Sequence, residues 1–210
     1  NFLELGNSRY VIPDRLIASA SYKYAKDHFS LFYTGYSPSG YSFYYDGDIN
    51  GDGNRYDLMY IPKDENDIHF TNPADADLFW KFVNQDSYLK NHKGEYAEPY
   101  SARAPFVHRF DFRWAHDFDV KIGQTKNKLV LSLDIMNVGN LFNSKWGVEK
   151  NMAGCNNGKI LKVIKIVDGV PYFSMYKDKA TGEAPTSTWS FNHNYNQCWK
   201  MQIGVKYVFN

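Results

Sequence analysis

The sequence predicts an all-β protein, an antiparallel transmembrane β-barrel segment of about five strands with two long extracellular loops. Three observations predict it. Apolar and polar residues alternate in five separate stretches. Aromatic residues make up 18% of a chain whose mean hydropathy is only −0.55. The connections between the stretches switch between very short and very long, and long structureless connections are uncommon inside compact soluble domains. No run of about 18 apolar residues is present, so no transmembrane helix is expected.

The first strand, about 15–25, sets Leu16, Ala18, Ala20, Tyr22 and Tyr24 against Arg15, Ser19, Ser21 and Lys23. The second, about 28–36, opposes Phe29, Leu31 and Tyr33 to His28, Ser30 and Thr34, with Phe32 on the polar side. The third, about 106–118, opposes Phe106, Phe110, Phe112 and Trp114 to Arg109, Asp111 and Arg113. In the fourth, about 128–137, Leu129, Leu131, Leu133 and Ile135 face away from Ser132 and Asp134. The last, about 197–209, carries Trp199, Met201, Ile203, Val205, Tyr207 and Phe209 against Lys200, Gln202, Gly204 and Lys206. Tyr22, Tyr24, Phe29, Trp199, Tyr207 and Phe209 gather near strand ends, as the aromatic girdles of a membrane barrel do.

Short turns are expected at Lys26-Asp27 and around KIGQTKN, and long loops at about 37–105 and 138–196. With the chain's end in the periplasm, both turns are periplasmic and both loops extracellular. Five strands cannot close around a lumen. The expected unit is therefore part of a larger barrel, with Asn210 as terminal residue one place after Phe209.

Candidate sites fall in four groups. DGDINGDGNRYDLMYIP, starting at Asp46, spaces Asp46, Asp48, Asn50, Asp52 and Asp57 around Gly51 as a calcium loop would. A register starting at Asp48 fails at Met59, and the whole stretch also reads as a solvated Asn/Asp/Gly turn. The polar strand faces offer Arg109, Asp111, Arg113, Asp134, Lys200 and Lys206 as lumen-facing residues, alongside Arg15, Lys23 and Gln202. These either line a lumen and meet a plug, or pair across strands to keep a polar interior satisfied. Cys155 and Cys198 are either free thiols or a disulfide closing a long loop. The loop rings Tyr36, Tyr41, Phe43, Tyr44, Tyr45, Phe79, Trp80, Trp146 and Trp189 either grip a substrate or pack the loops together.

One helix is expected, over 75–92, with Leu78, Phe79, Phe82 and Leu89 near one face, covering a barrel mouth. The net charge of +1 carries no basic run and excludes a nucleic-acid partner. His108 and His116 fall on the outward face, His69, His92 and His193 in separate loops, and no GxSxG, HExxH or P-loop occurs. No enzyme is expected.

The runs GDINGDGNRYDLMYIP, RAPFVHRFDFRWAHDF and LSLDIMNVGNLFNSKWG, followed by a last strand with an aromatic beside the C-terminus, resemble a known family. It is the Bacteroidota TonB-dependent outer-membrane receptors of the Oar-like and SusC-like branch, over the C-terminal part of their barrel. The resemblance implies a plugged barrel of about 22 strands in the outer membrane of a Gram-negative bacterium. It implies import of a bulky nutrient (glycan, peptide or chelate). The implied partners are the rest of the barrel and its plug, the TonB complex through a region upstream, outer-membrane lipid and a surface lipoprotein. Two other functions fit the same residues: a soluble calcium-binding β-module for carbohydrate, and a receptor-like barrel serving envelope assembly or secretion.

Overall fold

The computed structural model describes residues 6–209, so the terminal Asn210 lies outside the described residues. Strand outweighs helix, 43% against 17%, and the long strands pair antiparallel. They are β1 (Arg15–Tyr24), β2 (Asp27–Tyr36), β3 (Val107–Ile122), β4 (Thr125–Met136), β5 (Leu161–Val167), β6 (Val170–Met175) and β7 (Lys200–Val208). Three helices accompany them among the described residues: α1 (Pro73–Gln85), α2 (Ser87–Asn91) and α3 (Val138–Phe142). The chain forms two compact units, one of residues 13–37, 105–149 and 191–209, the other of 6–12, 38–104 and 150–190.

The first unit is a sheet in the order β1-β2-β3-β4-β7, with β1 and β7 at its edges. No closed barrel is formed among the described residues. Its register carries the sequence alternation across every strand. Tyr22 faces Phe29, Phe29 faces Trp114, Trp114 faces Leu133 and Leu133 faces Ile203. The next row joins Ala20, Leu31, Phe112, Ile135 and Met201. Because side chains alternate with a period of two, these rows share one side of the sheet. Nothing in this unit covers them: Tyr22, Ile203 and Val205 are 66%, 69% and 68% exposed.

Strand ends differ from the sequence pattern in two places. The turn expected across KIGQTKN shrinks to Gly123-Gln124, because Thr125, Lys126 and Asn127 pair with Ile122, Lys121 and Val120. Gly123 takes a φ of +61°, the geometry that a tight hairpin asks of a glycine. The last strand begins at Lys200 rather than 197, since Tyr195–Gln197 wind into a turn of 3-10 helix.

The second unit gathers the two long connections around a hydrophobic core. Phe43, Met59, Ile61, Phe79, Phe82, Leu89, Met152, Ile160 and Leu161 are essentially fully buried. Each such side chain contributes about 1.5–3 kcal/mol of burial, enough to order segments that would otherwise be loops. The antiparallel hairpin β5–β6 turns at Asp168-Gly169, both at positive φ. Short parallel strands flank it, Tyr45–Asp46 beside β5 and His69–Phe70 beside β6. The Tyr45 ring stacks on Phe173 with centroids 5.2 Å apart.

The helix expected over 75–92 is two helices. Asn72 caps α1 by accepting from the Ala74 N–H, and Pro73 supplies a first residue that needs no donor. Asp75, Phe79, Phe82 and Val83 form the buried stripe at helical spacing. Asp86 then turns extended and breaks the helix, because its carboxylate caps α2 at the Leu89 N–H (2.9 Å) and accepts from the Thr188 hydroxyl (2.6 Å). Asp75 is likewise buried but satisfied, accepting from the Met175 N–H (3.1 Å) and pairing with Lys177 (2.8 Å). Asp86→Ala removes a buried cap and the acceptor of the Thr188 hydroxyl; the expected loss is about 1–3 kcal/mol, measured as a lower denaturant midpoint.

Candidate functional site

The lumen-facing residues named from the sequence share the polar side of the sheet, opposite the rows above. Their environments differ. Arg113 and Asp134 are register partners and pair at 3.3 Å, while Gln202 stands opposite Asp134 on β7. Lys200 and Lys206 stay exposed, Lys200 lying 5.8 Å from the Tyr195 ring centre. Arg15 and Lys23 lie on the edge strand β1, opposite Tyr36 and His28.

Arg109 and Asp111 belong to a different construction. The stretch DIMNVGNLFNSKWG leaves β4 at Asn137, which adopts left-handed backbone (φ 51°, ψ 52°) and starts α3. The Asn137 N–H donates to the Asp111 carboxylate at 2.7 Å, and its buried side-chain amide donates to the Gln197 carbonyl (2.8 Å) and the Gly147 carbonyl (3.2 Å). Arg109 binds the same Gly147 carbonyl (3.0 Å) and the Gln197 side chain (2.9 Å). Gly147 has a φ of +63°, and a Cβ there would meet Asn137 Oδ1 at 2.0 Å, so only glycine fits. Asn140 closes the corner, donating to the Ser144 and Trp146 carbonyls and accepting from the Trp199 N–H. The sequence reading gave Asn137, Asn140, Gly147 and Gln197 no role. The signal was an Asn-rich run after a strand, since Asn takes left-handed geometry most readily after Gly.

The candidate calcium loop is closed by hydrogen bonds among its own groups. Asp48 accepts from the N–H groups of Gly51 (2.7 Å) and Gly53 (2.8 Å), which hold its carboxyl below the usual 3.8. Asp57 accepts from the Ile49 N–H and the Asn50 side chain, and Asp52 from the Asn54 N–H. Asp46 instead belongs to a short strand paired with β5. Among the described residues no group of three or more His, Cys, Asp or Glu converges as metal ligands. What orders this loop in the structure is Asx-type turn chemistry.

Cys155 and Cys198 are both free thiols in the structure, Cys155 buried and Cys198 exposed. Cys155 is buried in the globular core, where its thiol faces the Met152 and Thr188 carbonyls and burial pushes its pKa up to about 11. The loop aromatics also separate. Phe43, Tyr45 and Phe79 are core, Tyr41 and Trp189 pack edge to face, and Trp80 meets Phe79 and the Lys93 ammonium. Trp146 stays 57% exposed.

The class of protein these features define is a mostly β, antiparallel chain of two units, a five-stranded sheet with an exposed apolar face and a globular unit. Comparison with models of protein families, with curated proteins and with solved structures finds no match.

Asn137→Ala, which empties the corner of its buried donor, is expected to cost about 1–3 kcal/mol in thermal unfolding. A thiol-alkylating reagent at pH 8 is expected to label Cys198 within minutes and Cys155 only after denaturation. The thiolate fraction of a group shifted to about 11 is very small at that pH, and burial blocks access. Mass spectrometry of labelled peptides checks it.

Proposed function

We propose that the sheet unit is a stretch of wall in an outer-membrane β-barrel, the C-terminal part of a TonB-dependent receptor that imports a bulky nutrient. The observation that carries this reading is the apolar face that runs across all five strands and that no described residue of the sheet unit covers. A sheet in water needs a second layer on such a face. A barrel wall turns it to lipid and keeps the opposite, polar face inside.

Other features support the reading. A tilted strand needs about 9–11 residues to cross the hydrocarbon, and the strands here have 9 to 16. The short-turn end of the sheet is a belt of charge, with Lys26 on Asp119 (2.9 Å) and Lys128 on Asp117 (2.9 Å). Asp27, the acid on the apolar side, sits at that same end and is held by Trp114 Nε1 (2.8 Å) and His116 Nδ1 (2.7 Å). Polar groups at interface depth cost little, whereas at the midplane they cost a good deal. The two open edges, β1 and β7, are where further strands of the barrel would pair.

On this reading the partners are the rest of the barrel and its plug, outer-membrane lipid, the TonB complex and a surface lipoprotein. Calcium in the 46–57 loop would serve to order that loop. Val205→Arg, pointing from the exposed apolar face, is expected to cost about 2–4 kcal/mol of insertion and to block membrane assembly, while Lys206→Gln is tolerated. Outer-membrane fractions probed with an antibody to residues 46–62 check both. Equal tolerance of the two variants, or a soluble native band near 24.4 kDa, overturns the membrane assignment.

A further inference from the structure

The globular unit holds an open trough of about 490 Å³ that no reading above uses. Tyr41, Tyr44, Tyr56 and Tyr100 line it together with Arg9 and Lys159, and Ser and Asn residues fill the gaps between the rings. No carboxylate lines it among the described residues.

Two of these tyrosines are held in place by their surroundings. Tyr100 sits at a φ of +54°, a left-handed conformation that a bulky side chain rarely adopts. Its N–H donates to the buried Ser42 hydroxyl at 2.7 Å. Its carbonyl presses so close to Gly40 that a Cβ there would lie 1.9 Å away. Such strain persists only where neighbours over-determine it, and it concentrates at binding sites. Tyr44 meets the Tyr56 ring edge to face at 6.2 Å. Lys159 stands 5.3 Å from the Tyr56 ring centre, its ammonium bonded to the Arg55 carbonyl at 3.3 Å. A backbone carbonyl leaves that positive charge uncompensated.

We propose that this trough binds an acidic peptide segment that carries an aromatic residue. Tyrosine, serine, glycine and asparagine around a cation is the composition of protein-recognition surfaces, because tyrosine gives large rigid contact area at small entropic cost and serine and asparagine adapt their hydrogen bonds. The two cations set the sign of the partner's charge. An aromatic side chain finds ring faces and edges already in position. The trough lies wholly within the globular unit, so the proposal stands independently of the membrane reading.

The test is fluorescence polarisation on the full chain in detergent, with a labelled, capped hexapeptide of alternating glutamate and phenylalanine. The same peptide with lysine for glutamate and a galacturonate hexamer are run beside it. The acidic peptide is expected to bind saturably and about tenfold or more tighter than the lysine version. Tyr56 is 73% exposed, so Tyr56→Ala spares the core and is expected to weaken binding about fivefold or more. Lys159→Gln is expected to weaken it and to flatten its salt dependence. Continued protection of Cys155 from alkylation shows that each variant is folded. No saturable binding, equal affinity for the two peptides, tighter binding of the galacturonate, or an unchanged affinity in folded Tyr56→Ala overturns the proposal.

Discussion

The constraint on which the sheet unit depends is that most of its large apolar side chains, once in register, lie on one side and stay exposed among the described residues of that unit. The register leaves no freedom here. Slipping β7 by one residue against β4 would put Ile203 opposite Asp134 or Ser132, so cross-strand pairing and side selection are one choice. A face that spans five strands buries a large apolar area only if another phase or another chain supplies the second layer. Even the exceptions obey the same logic. Asp27 sits among the apolar side chains only at the turn end, and only with two ring nitrogens in contact with its carboxylate.

The globular unit solves the opposite problem. Its segments are separated in sequence by whole strands of the other unit, yet Phe43, Met59, Phe79, Ile160 and Phe173 converge on one core. Burial there needs polar groups settled as well, and the two buried acids show how. Asp75 is matched to a lysine and a backbone N–H, Asp86 to a helix terminus and a hydroxyl. Each carboxylate therefore ties a helix to a distant segment, which is how long connections become structure.

Between strand and turn, the corner at Asn137 shows a third device. Its residues make no contribution to an apolar core. They hold the exit of β4 by directing side-chain amides at backbone carbonyls, which would otherwise be orphaned where regular pairing stops. The requirement for Asn at one position and Gly at another follows from left-handed backbone and from the close approach of Gly147 to Asn137. This gives the stretch DIMNVGNLFNSKWG a physical reason to look distinctive, whatever the chain transports or binds.

By itself the sequence determined the strands of the sheet and the face each residue takes, because period-two alternation is a local property that pairing preserves. Helix formation at 73–85 was legible for the same reason, through Pro73 and the spacing of Phe79 and Phe82. Tertiary structure decided what local pattern leaves open. The hairpin β5–β6 is hidden in the sequence although Asp168-Gly169 is a strong turn signal, because a register shift between Val163 and Lys165 breaks the alternation of β5. Whether Phe43 and Tyr45 are contact rings or core rings depended on which distant segments meet them, and the helix over 75–92 divided because Asp86 found Thr188 about a hundred residues on. The surroundings of Cys155 come from burial among distant segments, and in the Asp-rich loop backbone N–H groups reach the Asp48 carboxylate only once the turn has formed. Local periodicity writes secondary structure and facing into the chain; partnership between remote side chains exists only once the chain has folded.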